Sequence, residues 1–482
     1  MASMGRCKYY QVCEIEDANL PDNDLCILHS PDPHKSHASF TKALENHRGR
    51  EHGLVNFGRI VFPYHMDFNQ VQFNQNADFS RPKFSKGANF NGATFSKGAM
   101  FTLSEFSDDA DFQQTTFAES AWFNKAVFRG ITSFWDSNFS RAHFMGTKFQ
   151  GNTQFCASNF SGIARFGQAE FRAETDFSDA TFAEIVFFPN LIFSEPVLFE
   201  RTKFLNGVIF NNVIFKKKGD FSNALFRAEC EFLSVDFAGD AIFTGAHFLG
   251  RAIFAGENGE AVFLGNTSFE RVVSTEVALR FIQVNFKQCR FIGTDVRKFQ
   301  FVGVRWPRIG GRCGVYDEIV CEPSRRPHVE ELYRQLKQNY EDRRDYERAG
   351  DFHIGEKEMR LWNPDTRLDL RIALLIYKSL SEYGENYRRP LLGLILLWLF
   401  TSLTVPCIGL AMKSENAVIV LSPISQSDFG WALLYGFQAI FHITGKEFMP
   451  HGFAWMIHMI ASILGPILIA LAGLALRQRL KR

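Results

Sequence analysis

The chain has 482 residues, with 53 Lys plus Arg against 52 Asp plus Glu and a formal net charge of +1. That length exceeds one ordinary domain, and so even a charge balance gives no support to nonspecific nucleic-acid binding through a basic surface. Nine cysteines, an odd and scattered number, do not make a disulfide framework, and the opening MASMGRCKYYQVC lacks the apolar core of a secretory signal. The N-terminal part is therefore expected to stay in the cytoplasm.

Three of the cysteines cluster at the start, as Cys7, Cys13 and Cys26, with His29 close behind in CKYYQVCEIEDANLPDNDLCILH. A Cys-x5-Cys knuckle and a Cys-x2-His knuckle supply four ligands, the number a closed tetrahedral zinc site needs. Residues 1–55 are too few for a large core, so a structural zinc ion would serve as their folding centre. The bland alternative is a tail with free thiols. His34, His37, His47 and His52 follow as alternative ligands.

From Phe57 the chain places phenylalanine at alternating steps of five and six: Phe57, Phe62, Phe68, Phe73, Phe79, Phe84, Phe90 and onward to Phe254 with small slips. Neither the helical 3.6 nor a heptad accommodates that alternation. Ala77, Ala88, Ala99 and Ala110 sit two before a phenylalanine, which on an extended strand directs both inward. A short fixed period means that each unit buries its apolar side chain only by stacking on its neighbours, the mark of a solenoid. After Phe254 the pattern loosens at GENGEAVF, read as a disordered last coil or capping turn, and recovers at Phe281, Phe286 and Phe291.

Strings such as ANFNGATFSKGAMF, ADFQQTTF and TDFSDATF resemble pentapeptide-repeat proteins of the phenylalanine-rich kind with an eleven-residue double unit. The resemblance covers residues 56–304. It implies a mainly β fold, a right-handed quadrilateral β-helix with about 22 residues per coil and coils rising roughly 4.8 Å each. The string LCILHS resembles the second knuckle of short zinc-binding modules that precede such repeats. Strongly acidic relatives are thought to imitate DNA, but this rod is near neutral, so a nucleic-acid-mimic role is not expected. A protein partner on the rod surface is.

Residues 305–389 read as a linker and amphipathic helices. Val329, Leu332, Tyr333, Leu336 and Tyr340 mark a helix over 328–348 with a Glu330–Arg334 pair, and Gly350 and Gly355 are expected to break the helical pattern before EKEMRLW. Leu368 to Tyr383 forms a second helix, apolar enough to lie on a membrane surface, or else packed against its neighbours.

Residues 390–482 hold two runs long enough to span a bilayer, Pro390–Met412 and Phe453–Leu476. Arg388 and Arg389 precede the first and Arg477, Arg479, Lys481 and Arg482 follow the second, so both termini are expected to be cytoplasmic around a transmembrane hairpin in the inner membrane. Between them residues 429–445, FGWALLYGFQAIFHITG, are short for a span and typical of a re-entrant helix, followed by a polar turn.

The order of helix, short apolar helix, polar turn and helix resembles two-span tetrameric cation channels, and the whole C-terminal third resembles bacterial membrane-bound pentapeptide-repeat proteins with an ion-channel-like end. HITGKEF stands where a potassium channel carries a TVGYG-like filter, so potassium selectivity does not follow. The residues to test in a pore are His442, Thr444, Gly445 and Glu447, while His458 is the ionisable residue well inside a span. A channel between two-span chains requires a homo-oligomer. The alternative function is a membrane-tethered scaffold without conduction. No phosphate loop, His-Glu-x-x-His or nucleophile-base motif marks an enzyme.

Overall fold

A computed structural model describes residues 5–9, 16–17, 25–48, 54–256, 263–275, 279–412, 418–419, 429–443 and 448–480. They divide into two units, residues 1–308 with 315–319, and residues 309–314 with 320–482.

The first unit is a parallel β-solenoid. Its strands are mostly two residues long, and each pairs in parallel with the strand about 22 positions on: Thr94 with Thr116, Phe106 with Phe128, Ala88 with Ala110. One face forms a separate 11-stranded sheet with one strand per coil, and the others join through a 27-stranded sheet. The expected inward pair is present, since Phe79, Phe101 and Phe123 and the alanines Ala77, Ala99 and Ala121 are all fully buried.

The alternation of five and six has a backbone cause. Each regular five-residue step closes a tight turn, as in Ile60 N donating to Phe57 O, whose third residue is left-handed: Arg59, Gln70, Arg81, Gly92, Leu103 and Gln114 recur every eleven positions. A positive φ at that position defines a type II turn, and non-glycine residues are strained there. Inter-coil bonds hold the strain, for example Arg59 N to Ser80 O at 2.9 Å and Gln70 N to Asn91 O at 2.8 Å. Where the step from Phe139 to Phe144 shortens, a register shift between Phe117 and Ser120 absorbs the missing residue.

Inside, rings 22 apart stack face to face (Phe79 on Phe101, centroids 4.8 Å apart at 4°), and rings 11 apart meet edge to face (Phe79 and Phe90, 5.5 Å at 87°). Both are favourable aromatic geometries, and the coil rise fixes the stacked spacing. Threonine or serine takes the small inward position at several corners. Thr115 Oγ1 donates to Phe90 O at 2.9 Å and Thr202 Oγ1 to Phe177 O at 2.7 Å, so these buried hydroxyls are paired.

The solenoid does not end after Phe254. Residues 257–262 of GENGEAVF lie outside the described residues, but Phe263 stacks on Phe237 at 5.4 Å and Phe281 on Phe254 at 5.2 Å, so the columns continue past the extra residues. At the last coil, the helix α2 (Tyr316–Val320; α1, His37–Arg48, lies at the N-terminal end) carries Asp317, whose carboxylate accepts from Phe291 N and Ile292 N, both at 3.0 Å. Those donors face the side where another coil would otherwise bond.

The second unit is helical. The predicted helix over 328–348 is shorter, α3 (Arg326–Asp342), with its apolar face buried and Glu330 paired to Arg334 at 3.0 Å. Gly350 and Gly355 do not break a helix. They lie inside α4 (Tyr346–Trp362), which Asp345 caps by accepting from Arg348 N at 3.2 Å. A Cβ on Gly355 would lie 2.6 Å from the Tyr333 ring, so glycine is there for close approach of α3 and α4. Then follow α5 (Leu368–Ser381), α6 (Arg388–Ile408), α7 (Phe429–Phe441) and α8 (Ala454–Leu480).

Candidate functional site

Two places concentrate chemistry-bearing residues. The first is the predicted metal cluster. Cys7, Cys26 and His29 are all buried, and their donor atoms lie within 4.8 Å of one another. His29 Nδ1 stands 3.2 Å from Cys26 Sγ and 3.6 Å from Cys7 Sγ. Tetrahedral zinc with Zn–S near 2.3 Å and Zn–N near 2.0 Å separates its donors by roughly 3.5–3.8 Å, a range that holds the Cys7–His29 separation and lies just above the Cys26–His29 one. The opposite ring nitrogen, Nε2, donates to Gly58 O at 3.4 Å, the outer-shell bond that leaves Nδ1 to the cluster. Cys13, the fourth ligand of the sequence reading, lies outside the described residues, as does His52.

The surroundings tie this cluster to the first coil. Val61 N donates to Leu28 O at 2.9 Å, in the place where later coils receive a bond from the preceding one. Lys35 Nζ donates to Val61 O at 2.9 Å, and burial pulls its ammonium down to about 8 against the opposing pull of Cys26 and Asp32. His37 stacks edge-on to Tyr64 and His47 bonds the Asn56 carbonyl, so neither joins the cluster. The packing cysteines differ. Burial, with Asp176 nearby, pushes the Cys156 thiol up to about 11, and burial raises Cys230 and Cys289 further.

The second place is the set of α6, α7 and α8. Two helices, Arg388–Ile408 and Ala454–Arg477, are long and apolar enough to cross a membrane, and only 22% of each apolar window is buried. A core helix of that composition would be mostly covered. The short helix α7 packs against both. Gly436 permits contact with Ser402 on α6, where a Cβ would lie 2.1 Å from the hydroxyl, and Gly465 on α8 does the same for Ile440. Trp398 Nε1 donates to Leu433 O at 3.0 Å.

Both spans contain Ser-x-x-x-Pro, as Ser402–Pro406 and Ser462–Pro466. Proline has no N–H, so the carbonyl four residues before it loses its helical donor. For Ser462 the donor comes from α7: His442, in a left-handed conformation just past the end of that helix, gives its Nε2–H to Ser462 O at 2.8 Å. Ser462 Oγ in turn donates to His458 O at 2.8 Å and Ala439 O at 3.2 Å, and Tyr435 Oη pairs with His458 Nδ1 at 2.8 Å. Both predicted histidines thus join one interhelical network. Tyr435 and Ser462 were not singled out from the sequence, although the Ser-x-x-x-Pro spacing is legible there. Thr444, Gly445 and Glu447 lie outside the described residues.

Short strands on either side of α7 come together. After α6, Leu410–Met412 pairs antiparallel with Val418–Ile419 and with Phe448–Pro450. The chain therefore returns by residue 448 to the end of the hairpin where α6 stops and α8 begins. Yet the end of α7 lies beside Ser462, about two turns into α8.

These features define the class: a parallel β-solenoid followed by helices, two of which could span a membrane. Within the solenoid, residues 68–116 and 112–156 match the family model for pentapeptide repeats. That stretch accordingly carries pentapeptide repeats. Comparison with curated proteins and with solved structures finds no match.

Proposed function

We propose that the protein is a membrane-anchored pentapeptide-repeat solenoid whose C-terminal hairpin follows an ion-channel-like plan. The observation that carries this reading is the placement of α7 inside the hairpin, with Phe448–Pro450 back at its end. A 13-residue helix spans about 20 Å and ends beside Ser462 of α8, and by Phe448 the chain is back at the end of the hairpin where α6 stops. A short helix that points into the hairpin, followed by a return to its end, is the arrangement that presents backbone and side chains to an ion path. In this reading Thr444, Gly445 and Glu447, which lie in the return, face the path, and several copies surround it.

The Arg388–Arg389 and Arg477–Arg479 flanks favour cytoplasmic termini in an inner membrane, with the solenoid on that side. Zinc bound by Cys7, Cys26 and His29, with Cys13 as fourth ligand, plays a structural part, because four protein ligands leave no open position for catalysis. It closes the N-terminal edge of the first coil.

Full-length protein in liposomes tests the proposal. Ion flux together with a defined oligomer in detergent is the expected result. A monomer without flux under any voltage would sink it, and would leave the hairpin as a tether for the solenoid as a protein-binding scaffold.

A further inference from the structure

The helix α5 is apolar on two opposite faces. Leu374 is 7% exposed and packs with Leu361 and Tyr383 beside Leu370 and Tyr377, so one side of α5 is bound to its own unit. On the other side Leu368, Ile372, Leu375 and Ile376 are 72%, 49%, 48% and 53% exposed. Their spacing of four, three and one places them on one stripe roughly opposite the packed one. Single exposed leucines need no explanation, but a continuous stripe of four does.

We infer that this stripe lies in the interfacial region of a bilayer with anionic headgroups beside it. Three observations select a lipid surface. First, α5 is tied to the start of the first span: Arg389 at the base of α6 donates to Lys378 O at 3.2 Å and pairs with Glu382 at 3.1 Å. The link between the two helices is short and bent, with Glu382, Tyr383 and Gly384 all left-handed, so α5 stays beside the entrance of α6. Second, the stripe is continued by the exposed apolar surface of α6 and α8, both of which α5 touches. Third, Arg371 and Lys378 flank it along α5 and Arg367 just precedes that helix, with Arg367 also paired to Asp369 and Lys378 to Glu358, while Trp362, 54% exposed, stands before it, the composition of an interfacial helix on an anionic membrane.

This inference rests on the proposed membrane anchoring, and the experiment separates the two. The full chain is prepared with a benzophenone amino acid in place of Ile372, of Leu396 on α6, or of Glu341 on α3. Each is reconstituted into vesicles of phosphatidylcholine with phosphatidylglycerol, irradiated and analysed by mass spectrometry. The expected result is lipid adducts at 372 and 396 and none at 341, with phosphatidylglycerol over-represented at 372 relative to its share of the vesicle. Adducts at 396 alone overturn the inference and leave the anchoring intact. A crosslinked pair of chains at 372 overturns it in favour of a second copy. No lipid adduct at either site removes the anchoring itself.

Discussion

His442 donates its Nε2–H to the Ser462 carbonyl at 2.8 Å, and that carbonyl is the one whose helical donor Pro466 removes. One side chain thereby supplies the donor that the neighbouring helix lacks. Replacement of His442 by Ala should destabilise the hairpin by about 1 kcal/mol, the scale of interhelical hydrogen bonds in membranes. His442→Gln, which keeps a donor at a similar reach, should recover most of the loss. In a Pro466→Ala background the helix supplies its own donor, so His442→Ala should become nearly silent. Unfolding in detergent across this double-mutant cycle checks the coupling, and additive losses would refute the relationship.

Metal analysis of the purified chain should find one zinc per molecule, lost in Cys26→Ser and in His29→Ala but retained in Cys156→Ser. Burial holds the Cys156 thiol up at about 11 and it stands apart from the cluster. Chelation should lower the melting temperature of the first unit, since metal binding free energy is folding free energy in a small module. Unchanged zinc content in Cys26→Ser would remove the site.

Asp317 should impart a pH dependence to the C-terminal end of the solenoid. Burial raises its carboxyl to about 6, against the pull of the Phe291 and Ile292 amides that favour the anion. A raised carboxyl binds its proton more tightly folded than unfolded, so its contribution is greatest below about pH 4 and falls as pH rises to about 6, by on the order of 3 kcal/mol. Asp317→Asn should flatten that part of the stability profile. Asp317→Ala, which leaves two buried amides without this acceptor, should cost about 2 kcal/mol at neutral pH. Thermal unfolding between pH 4 and 8 distinguishes the two variants.

Gly355→Ala offers a test in which two physical effects have opposite signs. Helix propensity alone favours alanine inside α4 by about 1 kcal/mol. The Tyr333 ring occupies the space a Cβ would need, at 2.6 Å, and overpacking of that kind costs about 1–3 kcal/mol. Net destabilisation is expected, and Tyr333→Leu in the same background should relieve part of it.

Much of the fold was legible because its cause is local and repeated. The phenylalanine spacing states which residues face inward, and each inward residue has the same neighbour one coil away, so one decision propagates along the solenoid. Cys7, Cys26 and His29, which the structure brings within 4.8 Å of one another, were legible as parts of two short Cys/His knuckles. The Gly355 reading failed because propensity is blind to a ring arriving from another helix. The loosening after Phe254 reads as a disordered last coil or capping turn, whereas the columns resume at Phe263 and Phe281 inside the expected 56–304 span.

The amino-acid sequence by itself determined the β-solenoid, the helical elements after it and the identity of the candidate ligands, all of which follow from periodicity and spacing. Only the tertiary structure decided which groups complete one another across distance. Asp317 caps the amides of the last coil, Leu28 stands where a preceding coil would be, and His442 replaces the donor that Pro466 lacks. The physical reason is that a buried backbone polar group accepts any partner of suitable geometry, and which residue provides it depends on packing between elements, a quantity no local pattern records.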